Sequence, residues 1–346
     1  MMPATFRNVS AINLTANNRY HILLDCGEGT FSQLIDQVGL AGIDDYLKDL
    51  RVIYITHIHP DHNLGLFKIL AERKALEQRT GQPLEPIFVI MPRNTLILLL
   101  RFARSVEGLN CHLISCQDLI TFNSGEPIQP SMEFFGSEPL EESENDMEGD
   151  QLKALVLGQK KDSKDYEDYS SSLQENLKLY TQWMQQANLK TIQPVRVLHC
   201  PQSHGVVITS NYGWRVSYSG DCRPTQGLVQ EGKGSTVLIH EATFQSSHGK
   251  QAKEKMHSTI EEAITMGIKM DAKRTCLTHF SQRYTISETL QKKRKPMDIQ
   301  EENPAVRDYL AANGVMALDH LRFKMSQLSR LPMISPAFNF GVSDDN

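Results

Sequence analysis

The chain has 346 residues, enough for one large domain or two modest ones with a substantial core. Its 36 Lys and Arg against 41 Asp and Glu give a net charge of −5, which excludes a generally basic nucleic-acid binder. Six scattered cysteines (Cys26, Cys111, Cys116, Cys200, Cys222, Cys276) form no CxxC pair and point to reduced thiols in an intracellular protein, and no apolar run nears the roughly 18 residues of a membrane span.

Residues 6–12 lead into a first strand, Asn17-Asn18 makes a turn, and residues 20–24 (YHILL) form a second strand, a hairpin pattern. The second strand runs into Asp25-Cys26-Gly27-Glu28-Gly29-Thr30. Two glycines one residue apart suit a loop whose backbone N–H groups approach a phosphate, and equally a tight strand-to-helix turn. Helix positions Phe31, Leu34, Ile35 and Val38 follow.

Residues 52–55 (VIYI) read as a buried strand that stops at Thr56. The next six residues, His57-Ile58-His59-Pro60-Asp61-His62, hold three imidazoles and a carboxylate, and Pro60 places them on a loop. Leu64, Leu66, Phe67 and Leu70 then resume at helical spacing. Imidazole with carboxylate is a ligand set for zinc, with manganese or iron as the weaker alternatives. The bland reading is a polar turn that happens to hold three histidines.

Residues 87–91 (IFVIM) read as another buried strand, and Pro92, Asn94 and Thr95 open a helix through Arg104. Residues 138–150 are acidic and read as a solvated loop, and Leu173, Leu177, Tyr180, Met184 and Ala187 mark an amphipathic helix. Residues 138–190 thus form an acidic and helical surface insertion in a single domain spanning 1–346.

In the second half, chemistry sits at strand ends. A strand from 195 ends at His199, the strand over 214–219 ends in Gly220-Asp221, residues 236–239 run into His240-Glu241-Ala242-Thr243, and residues 276–278 end at His279. His257-Ser258-Thr259 precedes a helix over 260–270. The basic run 292–296 (KKRKP) reads as a nuclear-localisation signal, a solvated loop or an RNA contact, and 321–325 (LRFKM) has an edge-strand pattern.

The HxHxDH string resembles the signature of the metallo-β-lactamase superfamily. Taken with RNVSAI, LLDCGEGT, HEAT at 240–243 and HST at 257–259, the chain resembles the ribonuclease Z family over residues 6–132 and 195–340. The wording is nearest to the catalytic, C-terminal half of the long eukaryotic form. The resemblance implies an α/β fold, the four-layered αββα metallo-β-lactamase sandwich, here without the family's glycine-bearing first strand. It also implies a truncated chain whose partners are precursor tRNA and a missing N-terminal half or a homodimer partner, with no membrane.

The ligands it implies are His57, His59 and His199 for one zinc ion, Asp61, His62 and His279 for a second, and Asp221 between them. The family has an aromatic residue before Gly205 where this chain has His204, so His204 is the alternative to His199. Asp61 would also orient the nucleophile, His257 would be the general acid, Glu241 would fix its tautomer, and Asp25 would hold a ligand imidazole. Gly27, Gly29, Thr30, Ser258, Thr259 and Arg283 would meet substrate phosphates. The implied function is removal of the 3′ trailer from precursor tRNA. Another phosphodiesterase on this fold, or a non-catalytic fragment, are the alternatives, and the location is the nucleus, cytoplasm or mitochondrion.

Overall fold

The computed structural model describes residues 10–96, 99–100, 110–128, 163–281, 304–317 and 319–331. Arg283, the runs 138–150 and 292–296, and the segment ahead of Ser10 lie outside the described residues. The chain divides into two compact units, one holding Val9–Pro194 and Cys200–His204, the other Val195–His199 and the described residues from Gly205 onward.

The first unit is built on a five-stranded sheet ordered β1 (Ile12–Ala16), β2 (Tyr20–Leu24), β3 (Leu50–Tyr54), β4 (Ile87–Met91) and β5 (Cys111–Ser115). The β1–β2 pair is the antiparallel hairpin, joined by Asn17, Asn18 and Arg19, with Asn17 and Asn18 in the left-handed region at φ 50° and 54°. The remaining pairs are parallel. Strands β3 and β4 are buried at every position, which is why they read as unbroken apolar runs. Helices α1 (Thr30–Val38), α2 (Ile43–Asp49), α3 (Pro60–Asn63) and α4 (Gly65–Thr80) follow the first three strands, and α5 (Cys116–Ser124) follows β5.

Helix α6 (Ser163–Gln186) presses Leu173, Leu177, Tyr180 and Trp183 into this core. The Trp183 ring lies 5.8 Å from Phe88 of β4, and Tyr169 donates a hydrogen bond from its hydroxyl to buried Asp118. Full burial of side chains of this size contributes about 1.5–3 kcal/mol each.

The second sheet is ordered β11 (Gly314–Met316), β10 (Thr275–Thr278), β9 (Val237–Glu241), β8 (Arg215–Tyr218), β7 (His204–Ser210) and β6 (Leu189–Arg196), and the second unit holds β8 to β11 with β7 from Gly205 onward. The β7–β8 pair is antiparallel, while β8–β9, β9–β10 and β10–β11 are parallel. Parallel neighbours deliver their C-terminal ends to one edge, so the residues after β8, β9 and β10 emerge together. Gly205 is required where β7 passes β8, because a Cβ there would stand 2.8 Å from the Tyr218 carbonyl oxygen.

Helices α7 (Gln226–Glu231), α8 (Gly249–Glu254), α9 (Ile260–Lys269) and α10 (Pro304–Asn313) complete the unit. Helix α9 starts with a capping box between Thr259 and Glu262 and buries Ile260, Ala263 and Ile264 with Leu277 and Val306.

Two sequence expectations differ from the structure. The edge strand read at 321–325 is not a strand: its residues alternate between half-buried and exposed but form no ladder, and the strand beside β10 is Gly314–Met316. The strand read from 195 to His199 runs over Leu189–Arg196, so His199 lies three residues past its end. Among the described residues no helix is long and apolar enough to cross a membrane.

Candidate metal centre and catalytic residues

The first unit carries the HxHxDH loop. Strand β3 feeds Ile55 and Thr56, and Pro60 opens α3, so four ligand-type side chains fall within six residues on rigid backbone. Asn63 holds the loop by donating from Nδ2 to the Ile58 and His59 carbonyls at 2.6 and 2.9 Å.

Asp25 sits beneath the loop, buried, with φ 56° in the left-handed region. Its Oδ1 accepts the Thr56 N–H at 2.8 Å, and both oxygens accept the Thr56 hydroxyl at 2.9 Å. Its Oδ2 accepts Nδ1–H of His62 at 2.7 Å, which turns Nε2 of that imidazole outward. The Thr56 hydroxyl donates its hydrogen to Asp25 in a hydrogen bond, so its oxygen accepts Nδ1–H of His57 at 2.9 Å and leaves Nε2 of His57 facing Nδ1 of His59 at 3.0 Å. Two nitrogens bound to one tetrahedral zinc ion at about 2.0–2.1 Å stand about 3.3 Å apart, so this pair fits. Asp61 places Oδ2 3.8 Å from Nε2 of His62.

The second unit gathers the strand-end residues. Asp221 Oδ2 lies 3.3 Å from Nε2 of His279 and 3.9 Å from both Nε2 of His199 and Nδ1 of His257. Asp221, His257 and His279 each offer an atom within 4.8 Å of the others, a grouping able to hold a metal ion. The Nδ1–H of His199 goes to the Met256 carbonyl at 3.0 Å. His279, at φ 60°, gives its Nδ1–H to the Thr243 hydroxyl at 2.9 Å. His57, His62, His199 and His279 are thus oriented through Nδ1 and present Nε2, the arrangement that raises ligand basicity. The donor set in each unit fits a divalent metal such as zinc.

Glu241 is the last residue of β9 and fully buried. Its Oε1 accepts the Cys222 N–H and Nδ1–H of His257, both at 2.9 Å, and its Oε2 accepts the Thr243 N–H at 3.0 Å and hydroxyl at 2.7 Å. Burial alone would raise this carboxyl. The facing His257, by charge and hydrogen bond, outweighs burial and holds it below the ordinary range.

His204, the alternative third ligand, is buried at the start of β7 and gives Nδ1–H to the Gln202 carbonyl at 2.7 Å. His199 is the one beside Asp221.

The described residues expected to meet phosphates make bonds within the chain. The Gly27 N–H donates to Ser10 O at 3.0 Å, and the Thr30 hydroxyl donates to Gly27 O at 2.7 Å. Gly29, at φ 84°, is the left-handed residue of a strand-to-helix turn. Gly65 presses on the same turn, since a Cβ there would strike Gly27 O. Ser258 is buried with its hydroxyl donated to Cys222 O at 2.6 Å, and Thr259 caps α9.

Sequence reasoning missed Thr56, Thr243 and Arg223. The two threonines stood in view, each one or two residues past a buried strand beside a named carboxylate or imidazole.

Residues 3–78 match the family described as the Metallo-beta-lactamase superfamily, and residues 161–280 match the Beta-lactamase superfamily domain. The chain is 35% identical over 346 residues to the Arabidopsis thaliana protein named tRNAse Z TRZ4, mitochondrial, covering 97% of this chain and 34% of that one. It is 32% identical over 283 residues to the Homo sapiens protein named Zinc phosphodiesterase ELAC protein 2, covering 82% and 29%. The chain therefore spans about a third of the length of the curated relatives it matches. Among solved structures, the long-form RNase Z from yeast superposes with a TM-score of 0.66 at 24% identity, covering 98% of this chain and 42% of that one. The human short-form tRNase Z gives 0.55 at 21% identity, covering 94% and 95%. These likenesses establish the fold.

Proposed function

We propose that the chain is a zinc-dependent endoribonuclease of the metallo-β-lactamase superfamily, on its tRNase Z branch, that removes the 3′ trailer from precursor tRNA, a reading supported by the family matches and the tRNase Z relatives. The observation that carries the reading is the Glu241–His257 pair at 2.9 Å beside Asp221, a proton-handling group next to a ligand-type carboxylate. We assign His57, His59, Asp61 and His62 of the first unit and His199, Asp221 and His279 of the second as ligands for two zinc ions. Bound zinc supplies Lewis-acid activation of a water.

The chain's own residues do the rest. Asp61 accepts the proton of the attacking water as a bond forms to phosphorus. As the bond from phosphorus to the ribose 3′-oxygen breaks, His257 donates a proton to that oxygen from Nε2. Glu241 keeps the Nδ1–H of His257 in place, so the opposite nitrogen is the one that can face the leaving group. The names of the plant relatives make a mitochondrial location part of this reading.

The test compares kcat/KM of the zinc-loaded chain on a precursor tRNA and on bis(p-nitrophenyl) phosphate. Trailer removal at the mature 3′ end supports the reading. Hydrolysis of the aryl diester with no cleavage of the precursor would make the chain a different phosphodiesterase.

A further inference from the structure

Arg223 follows Asp221-Cys222, and its three sets of hydrogen bonds reach the segment that carries His199, the peptide that carries His257 and the start of α9. Its backbone N–H donates to Leu198 O at 2.8 Å, one residue before His199. Its guanidinium grips Glu262 with two prongs, Nη1 to Oε2 at 2.8 Å and Nη2 to Oε1, and both residues are half-buried. The same Nη1 donates to the carbonyl oxygen of His257 at 2.6 Å.

The anchor is itself fixed. Glu262 Oε2 also accepts the Thr259 N–H at 2.9 Å, closing the capping box that starts α9. The guanidinium therefore spans from a helix terminus to the peptide that carries His257.

That peptide needs a hold. Met256 before it has φ 54°, a left-handed conformation that costs about 1 kcal/mol or more for a residue with a side chain, and only surrounding contacts keep it. The Met256 carbonyl is occupied by His199, and the Ser258 hydroxyl ties the far side to Cys222 O. Arg223 is the charged side chain bonded to the His257 carbonyl itself. A rotation of this peptide would swing the imidazole away from Glu241.

We propose that Arg223, anchored on Glu262, is a positioning residue that sets the orientation of His257 for proton delivery to the leaving oxygen. The proposal rests on the reading of His257 as the general acid. It separates from metal binding, because the bond from Arg223 to Leu198 uses the backbone, and no side-chain atom of Arg223 touches Asp221, His199 or His279 in the bonds described.

The experiment measures kcat on precursor tRNA and on bis(p-nitrophenyl) phosphate, with zinc content, for wild type, Arg223→Met, Arg223→Lys and His257→Ala. A p-nitrophenolate leaves without help, so loss of acid positioning should fall on the RNA substrate alone. Arg223→Met should lower kcat on precursor tRNA by about 10–100-fold, keep the aryl diester within about 3-fold, and keep wild-type zinc. Free guanidinium should restore part of the lost rate. Arg223→Lys keeps the charge and one donor without the two-pronged grip; it should show a smaller split in the same direction and serves if Arg223→Met fails to fold.

Equal loss on both substrates, no loss on either, or loss of zinc would overturn the proposal. If His257→Ala shows the split and the Arg223 variants do not, only the positioning role fails. If His257→Ala shows no split, the acid assignment fails and takes this proposal with it.

Discussion

The carboxylate of Glu241 and the imidazole of His257 meet at 2.9 Å, sixteen residues apart in sequence, with the carboxylate already accepting from Cys222 and Thr243. Four donors converge on two oxygens, so nothing at this position can carry an N–H group without opposing one of them. Glu241→Gln should therefore destabilise the fold by about 1–3 kcal/mol, the cost of an unmet buried polar group. It should also lower kcat on precursor tRNA by about 100-fold or more, as the tautomer of His257 is released. Urea unfolding and single-turnover cleavage read the two effects separately.

Asp25 plays the matching part in the first unit, where it fixes Thr56 and His62. Asp25→Asn should cost about 10–100-fold in zinc affinity without removing a ligand. Competition against a fluorescent chelator measures this, and unchanged affinity would reduce Asp25 to a fold residue.

His199 and His204 should part company. His199→Ala should lower zinc content and abolish turnover, while His204→Phe should keep zinc and lose the bond to Gln202 O, at a cost of about 1 kcal/mol. The reverse pattern in metal analysis would move the ligand role to His204.

Burial also sets a pH dependence away from the ligands. His112 is half-buried and His240 fully buried, and desolvation lowers both below the ordinary 6.5. A lowered folded pKa means the unfolded chain binds the proton first as pH falls. Stability should be level above about pH 6.5 and decline below it, through the lowered values of these groups. His112→Gln removes one of them, so the gap in urea midpoint between pH 7.5 and 5.5 should narrow.

Much of this was legible in the sequence, and for a physical reason. His57, His59, Asp61 and His62 lie on one loop, so spacing alone brings them together. Glu241 ends β9, His279 directly follows β10 and Asp221 comes three residues after β8, and buried strands announce themselves as apolar runs. What spacing cannot show is the partner of each Nδ1: Met256 O for His199 is 57 residues away and is a backbone atom in a left-handed turn. The Arg223–Glu262 grip is equally silent, because two charged residues 39 apart read as surface. The glycines of 27–29 were ambiguous for the opposite reason: a tight turn and a phosphate cradle use the same residues, so spacing does not separate them.

The most direct test of the account is end-group analysis of precursor tRNA cleaved by the zinc-loaded chain. Water attack on phosphorus with the 3′-oxygen leaving predicts a 3′-hydroxyl on the tRNA and a 5′-phosphate on the trailer, with all cleavage lost on chelation and recovered with zinc. A 2′,3′-cyclic phosphate, or cleavage that survives metal removal, would contradict it.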